Sequence, residues 1–266
     1  MALTEINFDK LILDKFLRVT GLDRTTSELL FMFDEIQDGN IENTEDKVNI
    51  TGAGGVNIAA LKRNKAVTAT FNNAYLVMSA MGVQTGSGVV EASEQNKFTV
   101  PVVEIVKATS ATEVSVTKTP KTGTLKYAYA VNPDGTQGKK YNLAAESPSS
   151  NTFTLVDKEL TFAENTWKQG DPVLVIYDTE VSVGKKISNK GNVNSLDAYL
   201  IIDALCRDVC NSNTLYYTKI VIPYASTTGN FTIQTSDTPQ PHNFVAESMP
   251  DPCGQDKEFW TWYVVE

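Results

Sequence analysis

The most constraining feature of the sequence is residues 41–82, where two short β patterns are joined by a glycine-rich turn. The β patterns lie at 47–50 and 56–61, and the turn between them, at 51–55, reads T-G-A-G-G. Glycine adopts positive φ at little steric cost, so this arrangement predicts a β-hairpin. A third strand is predicted at 66–71, where apolar and polar residues alternate.

A short apolar helix is predicted directly after this strand, over residues 74–81. Asn72 or Asn73 can cap its start, and Gly82 can end it. Ser79 is its only polar residue, so the helix must be buried either in its own fold or under a neighbouring subunit. Its shortness favours docking on a sheet.

The glycine-rich turn also has a superficial likeness to a phosphate-binding loop. A Walker loop needs G-x-x-x-x-G-K-[ST], and this sequence lacks the Lys-Ser/Thr step. A dinucleotide-binding fingerprint needs a helix straight after the glycines, whereas 56–61 has strand character. The hairpin interpretation is therefore favoured, and no cofactor is predicted.

Strand patterns dominate the rest of the chain, which predicts a mainly β fold. An apolar run at 29–36 predicts a strand buried on both faces. Pro223 is expected at a strand end or sheet edge, and 228–230 as a hairpin turn. The stretch at 196–206 fits a strand and a helix almost equally well. The other predicted strands are 100–106, 112–117, 125–131, 152–156, 160–162, 172–177, 219–224, 230–235, 242–247 and 259–265.

The charge balance argues against ordinary nucleic-acid binding. The chain of 266 residues has a formal net charge of −9, and phosphate contacts need a basic face. An acidic surface can instead let DNA pass without sticking, because carboxylates repel phosphates. No apolar run reaches about 18 residues and no secretory signal is visible, so no membrane partner is expected.

Catalytic patterns are missing from the sequence. His242 is the only histidine, a poor basis for a triad or a metal site, and a surface or edge position is expected for it. Neither G-x-S-x-G nor H-E-x-x-H occurs. We therefore expect no enzyme and no metal. The paired carboxylates, which are expected to form a solvated face, are Asp34-Glu35, Glu45-Asp46 and Asp256 with Glu258.

The cysteines do not suggest a disulfide framework. There are three, Cys206, Cys210 and Cys253, and the C-R-D-V-C spacing is wider than that of a C-x-x-C redox pair. We expect them to be small buried side chains.

Two blocks of the sequence resemble the major tail (tail tube) proteins of long-tailed bacteriophages. The first runs from F-M-F-D-E-I-Q-D-G-N-I-E-N-T at 31–44, through the glycine turn, to L-K-R-N-K-A-V-T-A-T-F-N-N-A-Y-L-V-M-S-A-M-G at 61–82. The second is I-V-I-P-Y-A-S-T-T-G-N-F-T-I-Q-T-S-D-T-P-Q-P-H-N-F-V-A-E at 220–247, a strand ending in proline, a turn and a final hairpin.

This resemblance implies a β-sandwich or small barrel with one short flanking helix, assembled in hexameric rings that stack into a tube for DNA ejection. It implies a virion tail protein assembled in host cytoplasm, whose partners are its own copies, other tail proteins such as the tape measure and the tail terminator, and DNA in transient, non-specific passage. Residues 1–99 and 172–266 would form a discontinuous core. Residues 100–171 would be a β-rich insertion or an enlarged part of the same sandwich.

The same resemblance suggests two sets of assembly residues. Those expected to face the lumen are Asp34, Glu35, Asp38, Glu42 and Glu45. Those expected to pack between subunits are Tyr75, Leu76, Met78 and Met81. The alternatives are a capsid decoration or tail-completion protein, and a β-sandwich module that binds a glycan or receptor through Trp260, Trp262 and Tyr263. A terminal strand buried on both faces is the favoured expectation for that aromatic cluster.

Overall fold

A computed structural model describes residues 10–209, 214–235, 240–251 and 257–264, and within them the predicted mainly β fold is confirmed. The chain divides into two compact units. The first comprises Met1–Val90 and Lys186–Glu266, and the second comprises Glu91–Lys185. The division into folding domains at 99/100 and 171/172 stays a prediction.

The elements follow one another in this order: β1 (Leu11–Leu22), β2 (Leu29–Phe33), β3 (Ile36–Thr51), β4 (Asn57–Asn73), α1 (Met78–Thr85), β5 (Val90–Glu91), β6 (Phe98–Lys107), β7 (Glu113–Ser115), β8 (Tyr127–Val131), β9 (Gln137–Leu143), β10 (Thr152–Val156), β11 (Glu159–Phe162), β12 (Pro172–Val181), β13 (Lys185–Lys186), β14 (Asp197–Asp208), β15 (Leu215–Thr227), β16 (His242–Ser248) and β17 (Thr261–Val264).

The first unit is built on one sheet with the strand order β2-β1-β14-β15-β16-β4-β3, and β17 also pairs with β15. The stretch that fitted both a strand and a helix is the strand β14. Its residues alternate between buried and half-buried, and it pairs with β1 on one side and β15 on the other. The inward faces of these strands carry a core that includes Phe31, Phe71, Leu200, Ile222 and Phe244.

The predicted hairpin around residues 51–55 is confirmed, but its strands are much longer than expected. Residues 56–61 and 66–71 are joined in a single strand, β4, which begins at Asn57 and pairs with β3 along its length. A bulge between Thr44 and Asp46 adjusts the register, and Asn64 there has a φ of 51°. Such a bulge bends the ladder without ending it, so the two patterns form one strand.

The apolar run at 29–36 is not a strand buried on both faces. β2 ends at Phe33 and, among the described strands, pairs only with β1, which makes it an edge strand. Its buried side chains are Phe31 and Phe33, whereas Leu29 and Met32 are 62% and 41% exposed. The residue types could not reveal this, because an apolar edge face has the same composition as a buried one.

The helix begins and ends four residues later than predicted. Asn73 remains in β4, since its amide oxygen accepts the Glu35 N–H at 3.1 Å and its amide nitrogen donates to the Tyr75 carbonyl at 2.9 Å. Gly82 lies inside the helix, which ends at Thr85 and is followed by the C-cap residue Gly86 in the left-handed region, with a φ of 69°. Asn73, which was predicted as a possible helix cap, instead connects the start of β3 to the end of β4 through these two hydrogen bonds.

Three further details of the last third differ from prediction. Residues 230–235 are irregular, so 228–230 is not the turn of a hairpin. The N–H of Thr228 instead bonds to the carbonyl of Val245 in β16 at 2.9 Å. Pro223 lies within β15, opposite the bulge where the register with β14 shifts, a place that tolerates a missing N–H.

The second unit is a seven-stranded sheet with the order β6-β12-β8-β9-β10-β11-β7 around its own aromatic core of Tyr141, Phe153, Phe162 and Trp167. The six strands predicted in this region are present, with shifted ends. β9 was not predicted, because Q-G-K-K-Y-N-L contains only one buried residue, Tyr141.

Candidate assembly surfaces

The outward face of the first sheet carries a row of acidic side chains. Glu42 lies opposite Thr68, Thr68 opposite Glu247, Glu247 opposite Ser226, and Ser226 opposite Asp197. Neighbouring strands are about 4.8 Å apart, so the carboxylates recur at roughly twice that distance across the sheet. That spacing is close to the Debye length of about 8 Å at physiological salt, so their mutual repulsion is largely screened.

Asp38 belongs to the same surface, two positions before Asn40 and four before Glu42. It accepts a hydrogen bond from the side-chain amide of Asn72, which in turn accepts one from Asn243 at 2.9 Å. Gly39 and Ile41, between these positions, face inward, because Ile41 packs on the core. We call the set of exposed Asp38, Glu42 and Glu247 with half-buried Asp197 the acidic face.

The other predicted lumen residues lie elsewhere. Asp34 and Glu35 occupy the connection between β2 and β3, and Glu45 lies at the bulge of the hairpin, 3.6 Å from the Lys62 ammonium. All three are exposed. Two members of the acidic face, Glu247 and Asp197, were missed, because only strand register shows that residues so distant in sequence share a surface.

The outer half of the β3–β4 hairpin is largely exposed, and the Lys65 ammonium near its base lies 5.8 Å from the centroid of the Phe259 ring. Every strand residue from Glu42 to Thr51 and from Asn57 to Ala66 is exposed. We call residues 43–66 the hairpin arm.

One side of the hairpin arm is apolar. Val48 pairs with Leu61, and Ile50 pairs with Ala59, so the four share one side. Val48, Ile50 and Leu61 are 46%, 41% and 38% exposed. The opposite side is mixed: Lys47 lies directly across from Lys62, and Ile58, which is 70% exposed, projects from the same side of β4 as Lys62. Like charges directly opposite each other destabilise an isolated ladder.

The predicted subunit-packing residues form a second exposed apolar set. Tyr75, Leu76 and Met78 are 47%, 48% and 43% exposed, and Met81 is half-buried. The buried side of α1 is instead formed by Ala80, Val83 and neighbouring residues. The Tyr75 hydroxyl donates to the Asp34 carboxylate, a hydrogen bond that raises the pKa of Tyr75.

The aromatic cluster near the end of the chain is not buried on both faces. Trp260, Trp262 and Tyr263 are 38%, 40% and 50% exposed, because β17 pairs with β15 alone among the described strands. The two tryptophans line a mainly apolar groove of about 350 Å³ together with Phe16, Ile41 and Ile220.

His242 does not have the predicted surface or edge position. It is 1% exposed, and its Nε2 lies 2.8 Å from the Gln84 side-chain oxygen. Burial lowers the pKa of His242 to about 4, so the ring is neutral at pH 7. The Gln84 amide nitrogen donates to the carbonyls of Asn230 and Asn243, which ties α1 to the β15–β16 connection. This histidine therefore has a structural role.

An ion-pair cluster occupies another part of the outward face. Asp203, on β14, lies between Arg18 on β1 and Lys219 on β15, and the Arg18 guanidinium is 2.8 Å from its carboxylate. Burial alone would raise the pKa of Asp203, but the hydrogen bonds from Lys219 and Arg18 outweigh this and lower it.

Other predicted features can be placed only in part. Cys206 is buried, as expected, whereas Cys210, Cys253 and Asp256 lie outside the described residues. Within the described ranges, no group of three or more His, Cys, Asp or Glu side chains could hold a metal ion. The one helix of this part of the chain is too short to cross a membrane.

Comparison with known proteins gives one family. The sequence model of the YomU/Tube protein family matches residues 12–254, nearly the whole chain. No curated protein sequence matches the chain.

Proposed function

Because the chain belongs to the YomU/Tube protein family, a family of phage tail tube proteins, we propose that it assembles with copies of itself into hexameric rings that stack into the tail tube and conduct DNA during ejection. The family makes it a structural component of the virion tail. Assembly in host cytoplasm, and contacts with the tape measure and the tail terminator, belong to the proposal.

The hairpin arm is the observation that carries this proposal. Its exposed apolar side is not covered by any described part of the chain, since the arm extends beyond the part of β4 that alternates between buried and half-buried residues. Exposed apolar strands favour aggregation unless a partner covers them. A neighbouring copy in a closed ring covers the same surface on every subunit.

The exposed side chains beside α1 supply a second contact. The chain leaves β4 and enters α1 through the exposed residues Tyr75, Leu76 and Met78. The two edge strands of the sheet are β2 and β3. A ring neighbour that meets one edge of the sheet buries these side chains together with the unpaired strand. Tyr75 also retains its hydrogen bond to Asp34, which orients the tyrosine side chain.

We assign the acidic face to the wall of the lumen. The first unit has 20 Asp and Glu residues against 13 Lys and Arg, while the second has 12 against 10, so the excess acid is concentrated in the first. Asp38, Glu42 and Glu247 project from one side of paired strands. A bore lined by carboxylates repels phosphates and keeps DNA from binding to the wall.

Electron microscopy and sedimentation velocity of the purified full-length chain test the assembly. We expect rings or tubes of uniform bore that grow with protein concentration, with sixfold symmetry in end-on views. A chain that stays monomeric at high concentration contradicts the proposal. A reconstruction of the tube tests the lumen separately, because an acidic face on the outer wall would overturn that assignment and leave ring assembly intact.

A further inference from the structure

The outer face of the sheet in the second unit carries a groove of mixed aromatic and polar character. Tyr127 and Tyr129 alternate with the buried Ala128 on β8, so both rings project from the same face, with centroids 6.5 Å apart. Ile176, on the neighbouring strand β12, is 47% exposed and forms the apolar floor. The groove encloses about 370 Å³, the lower part of the range of ligand sites.

Two charged side chains line the groove without a partner in the described ranges, whereas the Thr124 hydroxyl is bonded to backbone groups, including those of Asp178. Within the described part of the chain, neither the Asp178 carboxylate nor the Lys126 ammonium has a hydrogen-bond or ion-pair partner. The two are not paired with each other, although both line the groove. The Tyr127 and Tyr129 hydroxyls are likewise unbonded among the described residues. The groove therefore offers ammonium and hydroxyl donors and one charged acceptor to a ligand.

One tyrosine ring is held in place. The Lys140 ammonium lies 3.8 Å from the centroid of the Tyr127 ring, a cation–π contact, and Tyr127 still remains 41% exposed. Such a contact restricts the ring before any ligand binds, which lowers the entropic cost of stacking on it.

We propose that this groove is a carbohydrate-binding site that takes a neutral saccharide. Asp178 lines the groove together with Lys126, and the Lys140 ammonium lies against the Tyr127 ring, so an anionic ligand meets a carboxylate and a cationic ligand meets two ammonium groups. A sugar ring satisfies both kinds of group, because its hydroxyls donate to Asp178 and accept from Lys126. Its apolar C–H face packs on the tyrosine ring, as aromatic side chains with polar tips allow. This site goes beyond the proposed tube and does not depend on it.

Nucleic acid is the competing occupant, because aromatic rings and lysines also line single-strand binding grooves. Those grooves follow the phosphate backbone with positive charge, whereas Asp178 lies inside this one. The second unit has a net acidic composition of 12 Asp and Glu against 10 Lys and Arg. The charge distribution favours the saccharide.

Saturation-transfer NMR on the full-length protein tests the site, with maltotriose, cellotriose and N,N′,N″-triacetylchitotriose as probes and a thymidine oligonucleotide as the competitor class. We expect saturation transfer to at least one trisaccharide. Tyr127→Ala should weaken its binding about tenfold, as expected for loss of an aromatic anchor, and Asp178→Asn should weaken it severalfold. Tyr217→Ala, which removes an exposed tyrosine from the first unit, should leave it unchanged.

Thermal unfolding of each variant establishes that it is folded before its binding is compared. Absence of transfer to all three trisaccharides overturns the proposal. So does transfer only to the oligonucleotide, or transfer to a sugar that persists unchanged in folded Tyr127→Ala and Asp178→Asn.

Discussion

The Nδ1 atom of His242 accepts a hydrogen bond of 3.1 Å from the backbone N–H of Val77, the residue that precedes the first turn of α1. The helix has no side-chain cap of its own, and a residue 165 positions away binds its N-cap residue through the backbone. This bond requires a neutral ring with its proton on Nε2, which then donates to Gln84. The anchoring of the helix is thereby linked to the protonation state of one histidine.

Stability should fall as the pH drops from about 6.5 to about 4. The pKa of His242 is lowered to about 4 in the folded protein, whereas its ordinary value is 6.5, so between these values the unfolded chain binds the proton and is favoured. The loss should reach about 3 kcal/mol, at about 1.4 kcal/mol per pH unit. Urea unfolding at pH 7, 5.5 and 4.5 measures it.

His242→Asn provides the control. The asparagine oxygen can still accept the Val77 N–H, but it does not titrate. We expect a lower free energy of unfolding at pH 7, by about 1 kcal/mol for the lost bond to Gln84, and a flatter dependence between pH 6.5 and 5. An equally steep dependence in this variant would assign the effect to other groups.

Gly86→Ala should destabilise the protein by about 2 kcal/mol or more. Gly86 has a φ of 69°, and a Cβ there would overlap the backbone carbonyl of Asn194. The left-handed conformation alone costs a non-glycine residue about 1–2 kcal/mol. Gly88→Ala is the matched control, because Gly88 has a φ of 63° but no described atom lies within 4 Å of the place that its Cβ would take. If urea unfolding showed the same loss of stability for both variants, the backbone around Gly86 would be able to move enough to remove the overlap with Asn194.

Asp203→Asn should lower the free energy of unfolding by about 1–2 kcal/mol at pH 7, because it removes charged hydrogen bonds to Arg18 and Lys219. The lower figure is favoured, since these two side chains are 50% and 52% exposed. The pKa of Asp203 is lowered on folding. Its contribution is therefore full above the unfolded value of about 3.9 and is lost as the pH falls through the folded value. If the free energy of unfolding of Asp203→Asn fell with acid pH as steeply as that of the parent protein, this expectation would be contradicted.

Charged substitutions on the apolar side of the hairpin arm should abolish assembly without unfolding the chain. We expect Leu61→Glu and Ile50→Glu to give monomers in sedimentation velocity. Their free energy of unfolding should stay within about 0.5 kcal/mol of the parent, because both sites are solvent-exposed in the single chain. Val156→Glu changes an exposed valine outside the arm and should still assemble. Normal rings from Leu61→Glu would exclude the arm from the interface.

The second unit should fold when produced alone as residues 91–185. It has its own buried core, which includes Val114, Leu125 and Phe153. Its ends lie together, since the N–H of Ala92 bonds to the carbonyl of Gly184 at 2.8 Å, and adjacent termini are typical of autonomous domains. A single cooperative thermal transition is expected by circular dichroism. A molten or insoluble fragment would show that the core needs the rest of the chain.

Local patterns predicted local structure well. The T-G-A-G-G turn, the alternating strands and the mainly β class all follow from backbone sterics and side-chain alternation, which act over a few residues. The family match likewise confirms the resemblance found in the blocks at 31–82 and 220–247. Among the predictions that were wrong, those for Asn73, the 230–235 segment, His242 and the cluster of Trp260, Trp262 and Tyr263 each depend on which distant segment of the chain packs against the residue.

The sequence by itself therefore determined the fold class, the hairpin and the family, because these depend on φ preferences and on the order of apolar residues. Only the tertiary structure decided that Glu42, Glu247 and Asp197 form one row, that His242 is buried against α1, and that 43–66 projects as an arm. The physical reason is strand register: a one-residue shift moves every side chain to the opposite face, and register depends on pairing partners far away in the chain.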